Sequence, residues 1–134
     1  MSTGRPNWDD WGLGIALAVA ERADCTRRKV GAVLLDKHNR VVSTGYNGYP
    51  SGSKGCLEGG CPRGKLTYEE LPAYTEYSNC HALHAEENAA LHAEPDRRRG
   101  GTMYITDKPC DNCMRLLKGL QLKRVVWPGG QEDL

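Results

Sequence analysis

Between His84 and Trp127 the chain alternates helical and extended patterns, and this alternation limits the possible folds more than any other feature. His84 to about Glu94, rich in Ala, Glu and Leu, predicts a helix that Pro95 and the run Asp96-Arg97-Arg98-Arg99-Gly100-Gly101 end. Thr102-Met103-Tyr104-Ile105-Thr106 predicts a strand. Pro109 is expected at the first position of a second helix, which runs to about Lys118 with Gly119 as its stop. Arg124-Val125-Val126-Trp127 predicts a last strand, closed by Pro128-Gly129-Gly130. Strands alternating with helices indicate an α/β layered fold with at least one parallel pair.

The first half adds three elements. Trp8 to about Ala23 predicts a helix, with Trp8, Trp11, Ile15, Ala18 and Val19 at the spacing of one shared face and Asp9 and Asp10 in its first turn. Gly12 and Gly14 argue against it, since each costs about 1 kcal/mol relative to alanine. Val30 to Leu35 and Val41 to Thr44, separated by the polar Asp36-Lys37-His38-Asn39-Arg40, predict a β-hairpin. From Gly45 to about Cys80 the periodicity breaks, in a stretch with seven glycines, three prolines and three cysteines. Loops this long are uncommon in compact domains unless functional or tied down. No internal repeat or linker divides the chain, so residues 1–134 are expected to form one domain.

Charge and composition narrow the function classes. The 18 basic and 17 acidic residues leave a net charge of +1, which argues against a broad polynucleotide-binding face but not against one phosphate-bearing small molecule. The longest apolar run, Leu13 to Ala20, is far shorter than the roughly 20 residues a membrane helix needs. No signal-like segment follows Met1, so a cytoplasmic protein with no membrane partner is expected. Six cysteines in such a protein suggest metal ligands more than disulfides.

Two motifs carry the chemistry. His84-Ala85-Glu86 and Pro109-Cys110-Asp111-Asn112-Cys113 each stand at a predicted helix start. His84, Cys110 and Cys113 would give zinc three ligands and leave a position open, which is the pattern of a catalytic site. Pro109 at the first helical position would leave free N–H groups toward the sulfurs, where the helix dipole favours thiolate. At a helix start, His84 can bind the metal while Glu86 meets the attacking water as a proton shuttle. His-x-Glu followed by Pro-Cys-x-x-Cys is the signature of zinc deaminases. A lone Cys-x-x-Cys is often structural, so a zinc-stabilised binding module without turnover is the rival from another class.

At these residues the chain resembles the zinc-dependent cytidine and deoxycytidylate deaminase superfamily, and within it the deoxycytidylate (dCMP) deaminase branch. The match rests on Lys29-Val30-Gly31-Ala32-Val33, Ser43-Thr44-Gly45-Tyr46-Asn47-Gly48-Tyr49-Pro50-Ser51-Gly52, His84-Ala85-Glu86-Glu87-Asn88-Ala89, and Met103-Tyr104-Ile105-Thr106 leading to Cys110 and Cys113. The resemblance implies a layered fold with a central mixed β-sheet flanked by helices. It implies hydrolysis of dCMP to dUMP with release of ammonia, in pyrimidine nucleotide metabolism. It implies His84, Cys110 and Cys113 as zinc ligands, Glu86 as the catalytic carboxylate and Asn47 at the nucleotide site. It further implies a homo-oligomer and regulation by dCTP with Mg²⁺. A modified cytosine nucleotide, a free nucleoside or an adenosine in tRNA are the alternative substrates.

Four cysteines remain. Some dCMP deaminases carry a second, structural zinc near the long loop, with a ligand just before the Val-Gly-Ala strand, where Cys25 stands here. Cys56 follows the Pro-x-Gly turn as in those relatives, and with Cys61 and Cys80 would complete a closed tetrahedral set, in which His81 can replace one thiolate. Arg27, Arg28, Arg63 and Lys65 compete for a substrate phosphate. Arg97 to Arg99, His38 and His92 read as solvated or packing residues.

Overall fold

The computed structural model describes residues 4–24, 28–48 and 83–134. Cys25, Arg27, Cys56, Cys61, Arg63, Lys65, Cys80 and His81, and with them the expected second zinc set, lie outside the described residues.

The elements are α1 (Trp8–Ala20), β1 (Gly31–Leu35), β2 (Val41–Tyr46), α2 (Ala85–Leu91), α3 (Pro95–Arg98), β3 (Thr102–Ile105), α4 (Asp111–Gly119), β4 (Arg124–Trp127) and β5 (Gly130–Asp133). The five strands form one mixed sheet in the order β2-β1-β3-β4-β5. The expected hairpin forms, with Val33 opposite Thr44, and the expected parallel pair is β3 beside β4, with Met103 beside Val125. β1 also runs antiparallel to β3. Every residue of β1 is buried, because helices cover both faces of the sheet centre. One core, including Ala32, Leu34, Met103 and Ile105, packs under Ala85 and Ala89 of α2 and Leu117 of α4. The other, with Val33, Leu35, Tyr104 and Val126, packs against Ala16 of α1.

α1 overturns part of the sequence reading. The helix buries Gly12, Ala16 and Ala20, and of the expected shared-face residues Trp8, Trp11, Ile15, Ala18 and Val19 only Ile15 packs against the core. Trp8 and Trp11 are 52% and 38% exposed and meet edge to face, centroids 5.4 Å apart. The reason is close approach. A Cβ on Gly31 would lie 2.1 Å from the Ala16 carbonyl oxygen, and one on Gly12 would lie 2.6 Å from the Tyr104 ring. Gly12, which argued against the helix on propensity, is what lets the helix lie on the sheet.

Three further boundaries differ. α2 ends at Leu91, and Pro95 opens the short α3. The Arg97–Arg99 run is stitched to the fold rather than simply solvated: Arg97 donates to the Val41 carbonyl, Arg98 to that of Leu120, and Arg99 to Gln121 and Asp96. The chain also does not end its sheet at Trp127. Pro128 and Gly129, with φ +86° at Gly129, turn it into β5. β5 carries Gln131, Glu132 and Asp133 on an exposed edge, so it lacks the apolar alternation that marks a strand in sequence.

The N-terminus of α1 is tied to the sheet by charge. Arg124 donates to both Asp9 oxygens, at 2.6 and 3.1 Å, and the Tyr104 hydroxyl donates to Asp9 at 2.9 Å. The Arg124 guanidinium holds the Asp9 carboxyl below the usual carboxylate range, while burial and then the Asp9 contact push the Tyr104 phenol up to about 12. A depressed carboxyl contributes stability above its unfolded pKa of about 3.9 and loses it as pH falls through the folded value. Asp9→Asn is therefore expected to cost about 1 kcal/mol at neutral pH, since solvent screens a partly exposed pair. In urea unfolding the gap between the two proteins should begin to narrow below about pH 4 and close as pH falls through the folded value. A gap that stays constant down to pH 3 would show that the charge is not what ties the helix down.

Candidate metal centre

The site is built from two helix starts brought together over one face of the sheet. The first belongs to α2. A Cβ on Gly45 would lie 2.3 Å from both the Ala85 carbonyl oxygen and the Ala89 nitrogen, so only glycine lets α2 rest on β2. Ser43 Oγ donates to the Ala89 carbonyl at 2.8 Å, and Asn88 Nδ2 donates to the Tyr46 carbonyl at 2.7 Å. Leu83 exchanges backbone hydrogen bonds with Gly48, which anchors the residue before His84. His84 is the N-cap of α2, and its own N–H donates to Glu87 Oε1 at 2.8 Å. Its backbone is thus held from both sides, leaving the imidazole to face the site.

The second helix start belongs to α4. Thr106, just after β3, is held to Gly31 through a backbone hydrogen bond and through its hydroxyl, which accepts from the Gly31 N–H. The chain then reaches Pro109, which precedes the helix instead of opening it. Cys110 is the N-cap and α4 begins at Asp111. This corrects the expected position of Pro109. The N-cap conformation, φ −74° and ψ 170°, places Cys110 outside the helix while Cys113 lies in its first turn.

These elements bring together the three expected ligands. His84 Nδ1 lies 3.2 Å from Cys113 Sγ and 3.9 Å from Cys110 Sγ, and the three ligand atoms are all within 4.8 Å of one another. Tetrahedral zinc at about 2.0–2.3 Å from its ligands sets nitrogen and sulfur about 3.6 Å apart, so the separations bracket that value. One imidazole and two thiols are also the donors zinc prefers. Cys113 is buried and Cys110 exposed, which opens the trio to the surface on one side. Burial, and next the Glu86 carboxylate, push the Cys113 thiol well above its ordinary range. A divalent ion reverses that balance, because a coordinating thiol gives up its proton.

Glu86 completes the arrangement. It is 3% exposed, and its Oε1 stands 3.8 Å from His84 Nδ1. Its Oε2 is buried with no hydrogen-bond partner among the described residues. Burial raises this carboxyl above the ordinary range, against the opposing effects of its own backbone N–H, Cys113 and His84. A buried, unsatisfied carboxylate is costly, so one held beside three metal-ligand atoms marks a place prepared for a further polar group. The donor set, its spacing and this orphan oxygen together fit a zinc ion.

The model of the cytidine and deoxycytidylate deaminase zinc-binding region matches residues 6–128. The chain belongs to this deaminase family. It is 45% identical over 128 residues to the deoxycytidylate deaminase of Mycobacterium phage D29, covering 92% of this chain and 96% of that one. It is 40% identical over 124 residues to the deoxycytidylate deaminase of Schizosaccharomyces pombe, of whose length it spans 37%. Among solved structures, it is similar to the dCMP deaminase of cyanophage S-TIM5 in complex with dCMP and dUMP. The TM-score is 0.70 at 25% identity, covering 92% of this chain and 82% of that one. The mixed sheet flanked by helices is the fold of this deaminase family, and its sequence model is that of a zinc-binding region.

Asn47 lies at the same end of the sheet. Its side chain is spent on the backbone: Oδ1 accepts from the Val30 N–H, and Nδ2 donates to the Arg28 carbonyl, both at 2.8 Å. In this structure it fixes the segment entering β1. Gly45, Ser43 and Asn88, which seat α2, were given no individual role by sequence reasoning. A glycine inside a strand is the available signal, since it often marks close approach of another backbone.

Proposed function

We propose that this chain is a zinc-dependent hydrolytic deaminase that converts dCMP to dUMP and ammonia. The observation that carries the reading is the buried Glu86 carboxylate, whose Oε2 has no hydrogen-bond partner among the described residues, beside the His84, Cys110 and Cys113 trio. A purely structural metal site has no use for such a group. The choice of dCMP is supported by the phage relative, which matches this chain over nearly its whole length, and by the fold shared with the dCMP complex.

His84, Cys110 and Cys113 would hold the ion. When bound, zinc lowers the pKa of water to near neutrality and so supplies a nucleophile. Glu86 accepts the proton as water adds to C4 of the cytosine. It then delivers a proton to ring N3, and a further transfer lets the C4–N bond break and ammonia leave. Burial keeps this carboxylate away from bulk water during each transfer. Asn47 serves the nucleotide site by fixing residues 28–30 through their backbone.

The test is ammonia release from dCMP, CMP, deoxycytidine and an RNA anticodon-arm oligonucleotide, with zinc measured on the same protein. dCMP is expected to react fastest. Release from none of them would sink the enzyme reading, and a preference for deoxycytidine would sink the nucleotide assignment. Two zinc ions per chain are expected if Cys25, Cys56, Cys61 and Cys80 hold a second one. A firm value of one removes that second ion.

We also read the chain as a cytoplasmic homo-oligomer. The exposed Trp8–Trp11 pair supports this, because α1 is apolar on the face turned from the sheet as well as on the one against it. No helix among the described residues is long and apolar enough to cross a membrane. A monomer mass by light scattering at micromolar concentration would overturn the oligomer.

A further inference from the structure

The parallel strands β3 and β4 end side by side next to the metal centre, and ligands of α/β sheets gather at such carboxyl ends. Trp127, the last residue of β4, packs against the core beneath α2 and α4, so its indole lies on the sheet face that carries the ligand trio. Gly130 lets the ring fold across the β4–β5 turn, since a Cβ there would stand 2.6 Å from the indole nitrogen. The Lys108 ammonium sits over this ring, 5.9 Å from its centroid, and Lys108 is two residues before the ligand Cys110.

Among the described residues, the neighbouring cations Arg28 and Lys29 are otherwise placed. Arg28 pairs with the Asp107 carboxylate, whose second oxygen accepts from the Lys108 N–H. Val30 packs into the core on the metal side, so by the alternation of extended chain Lys29 is turned to the opposite face. Lys108 itself is exposed, and no carboxylate of the described residues pairs with it. Among the described residues, Lys108 is thus a positive charge with no carboxylate partner, held over an aromatic ring two residues before Cys110.

We propose that Lys108, held by Trp127, recognises the 5′-phosphate of the nucleotide substrate and sets the preference for nucleotide over nucleoside. This rests on the nucleotide-deaminase reading above. An ammonium suits this task as a point charge that follows the phosphate without demanding a fixed fork of hydrogen bonds.

The experiment compares kcat/KM for dCMP and for deoxycytidine in the zinc-loaded protein and in Lys108→Met, Lys108→Arg and Trp127→Leu. Methionine keeps an apolar stem against the indole and removes only the charge. Lys108→Met is expected to lower the dCMP-to-deoxycytidine ratio by about 10- to 100-fold, the range for a hydrogen bond to a charged group. The loss should lie mainly in KM for dCMP. Lys108→Arg should retain most of the ratio, and Trp127→Leu should lower it to an intermediate value with zinc content unchanged. An equal loss on both substrates would mean that Lys108 only shapes the Cys110 loop, and an unchanged ratio would place the phosphate elsewhere. Either result overturns the proposal while leaving the deaminase assignment intact. A parent protein inactive on both substrates overturns that assignment and this proposal together.

Discussion

Glu86→Gln is expected to bind zinc like the parent protein and to lose about 10³-fold or more in kcat on dCMP, because general acid–base catalysis alone is worth about 10²–10⁴-fold. The reasoning is geometric. Glu86 is buried and its Oε2 has no partner among the described residues, yet Oε1 lies close to the imidazole of the ligand trio. Glutamine keeps the volume and a hydrogen-bonding oxygen, so the core beneath α2 is undisturbed. What it lacks is the ability to accept a proton from water and return it to the ring and the leaving ammonia. Zinc analysis and single-turnover kinetics separate the possibilities. Loss of zinc in this variant would show that Glu86 helps hold the ion, and full activity would refute the mechanism outright.

Gly45→Val is expected to damage the protein more broadly, destabilising it by about 3 kcal/mol and weakening zinc binding at the same time. A Cβ at Gly45 would stand 2.3 Å from two backbone atoms of α2, and backbone does not yield as a flexible side chain does. Overpacking of this kind costs about 1–3 kcal/mol, occasionally more. For a chain of this length that lowers the melting temperature by about 10 °C. The helix must lift away from β2, and His84 and Glu86 move with it while Cys110 and Cys113 stay on α4. Gly14→Ala is the control, because open space surrounds a Cβ there. It should be neutral or slightly stabilising, as alanine is the better helix former. Zinc affinity unchanged in Gly45→Val would show that the ligand trio does not depend on how α2 is seated.

Much of this molecule was legible because its strongest signals are local. The hairpin around Asp36–Arg40, the strand at 102–105 and the His84 helix start each follow from residues close in sequence, and the structure has them. The metal trio was legible for a different reason. Imidazole and thiolate are rare chemistry, and two helix starts bearing them in this order leave few uses other than a shared ion. β5 escaped notice because an exposed edge strand of Gln131, Glu132 and Asp133 carries no apolar period. The buried face of α1 was not legible because close helix–sheet packing selects the small Gly12, Ala16 and Ala20, which carry little apolar signal.

The sequence by itself determined the chemistry of the site: one imidazole, two thiols and a carboxylate at helix starts, in a layered α/β chain. Only the tertiary structure decided how those groups meet. Gly31 and Gly45 lie on neighbouring strands, and each admits a helix backbone, one on either face of the sheet. That contact is made across distant parts of the chain and depends on the absence of side-chain atoms, which no local pattern of residues reports. It also placed Lys108 over Trp127 beside the metal centre, joining two residues that sequence reasoning left unconnected.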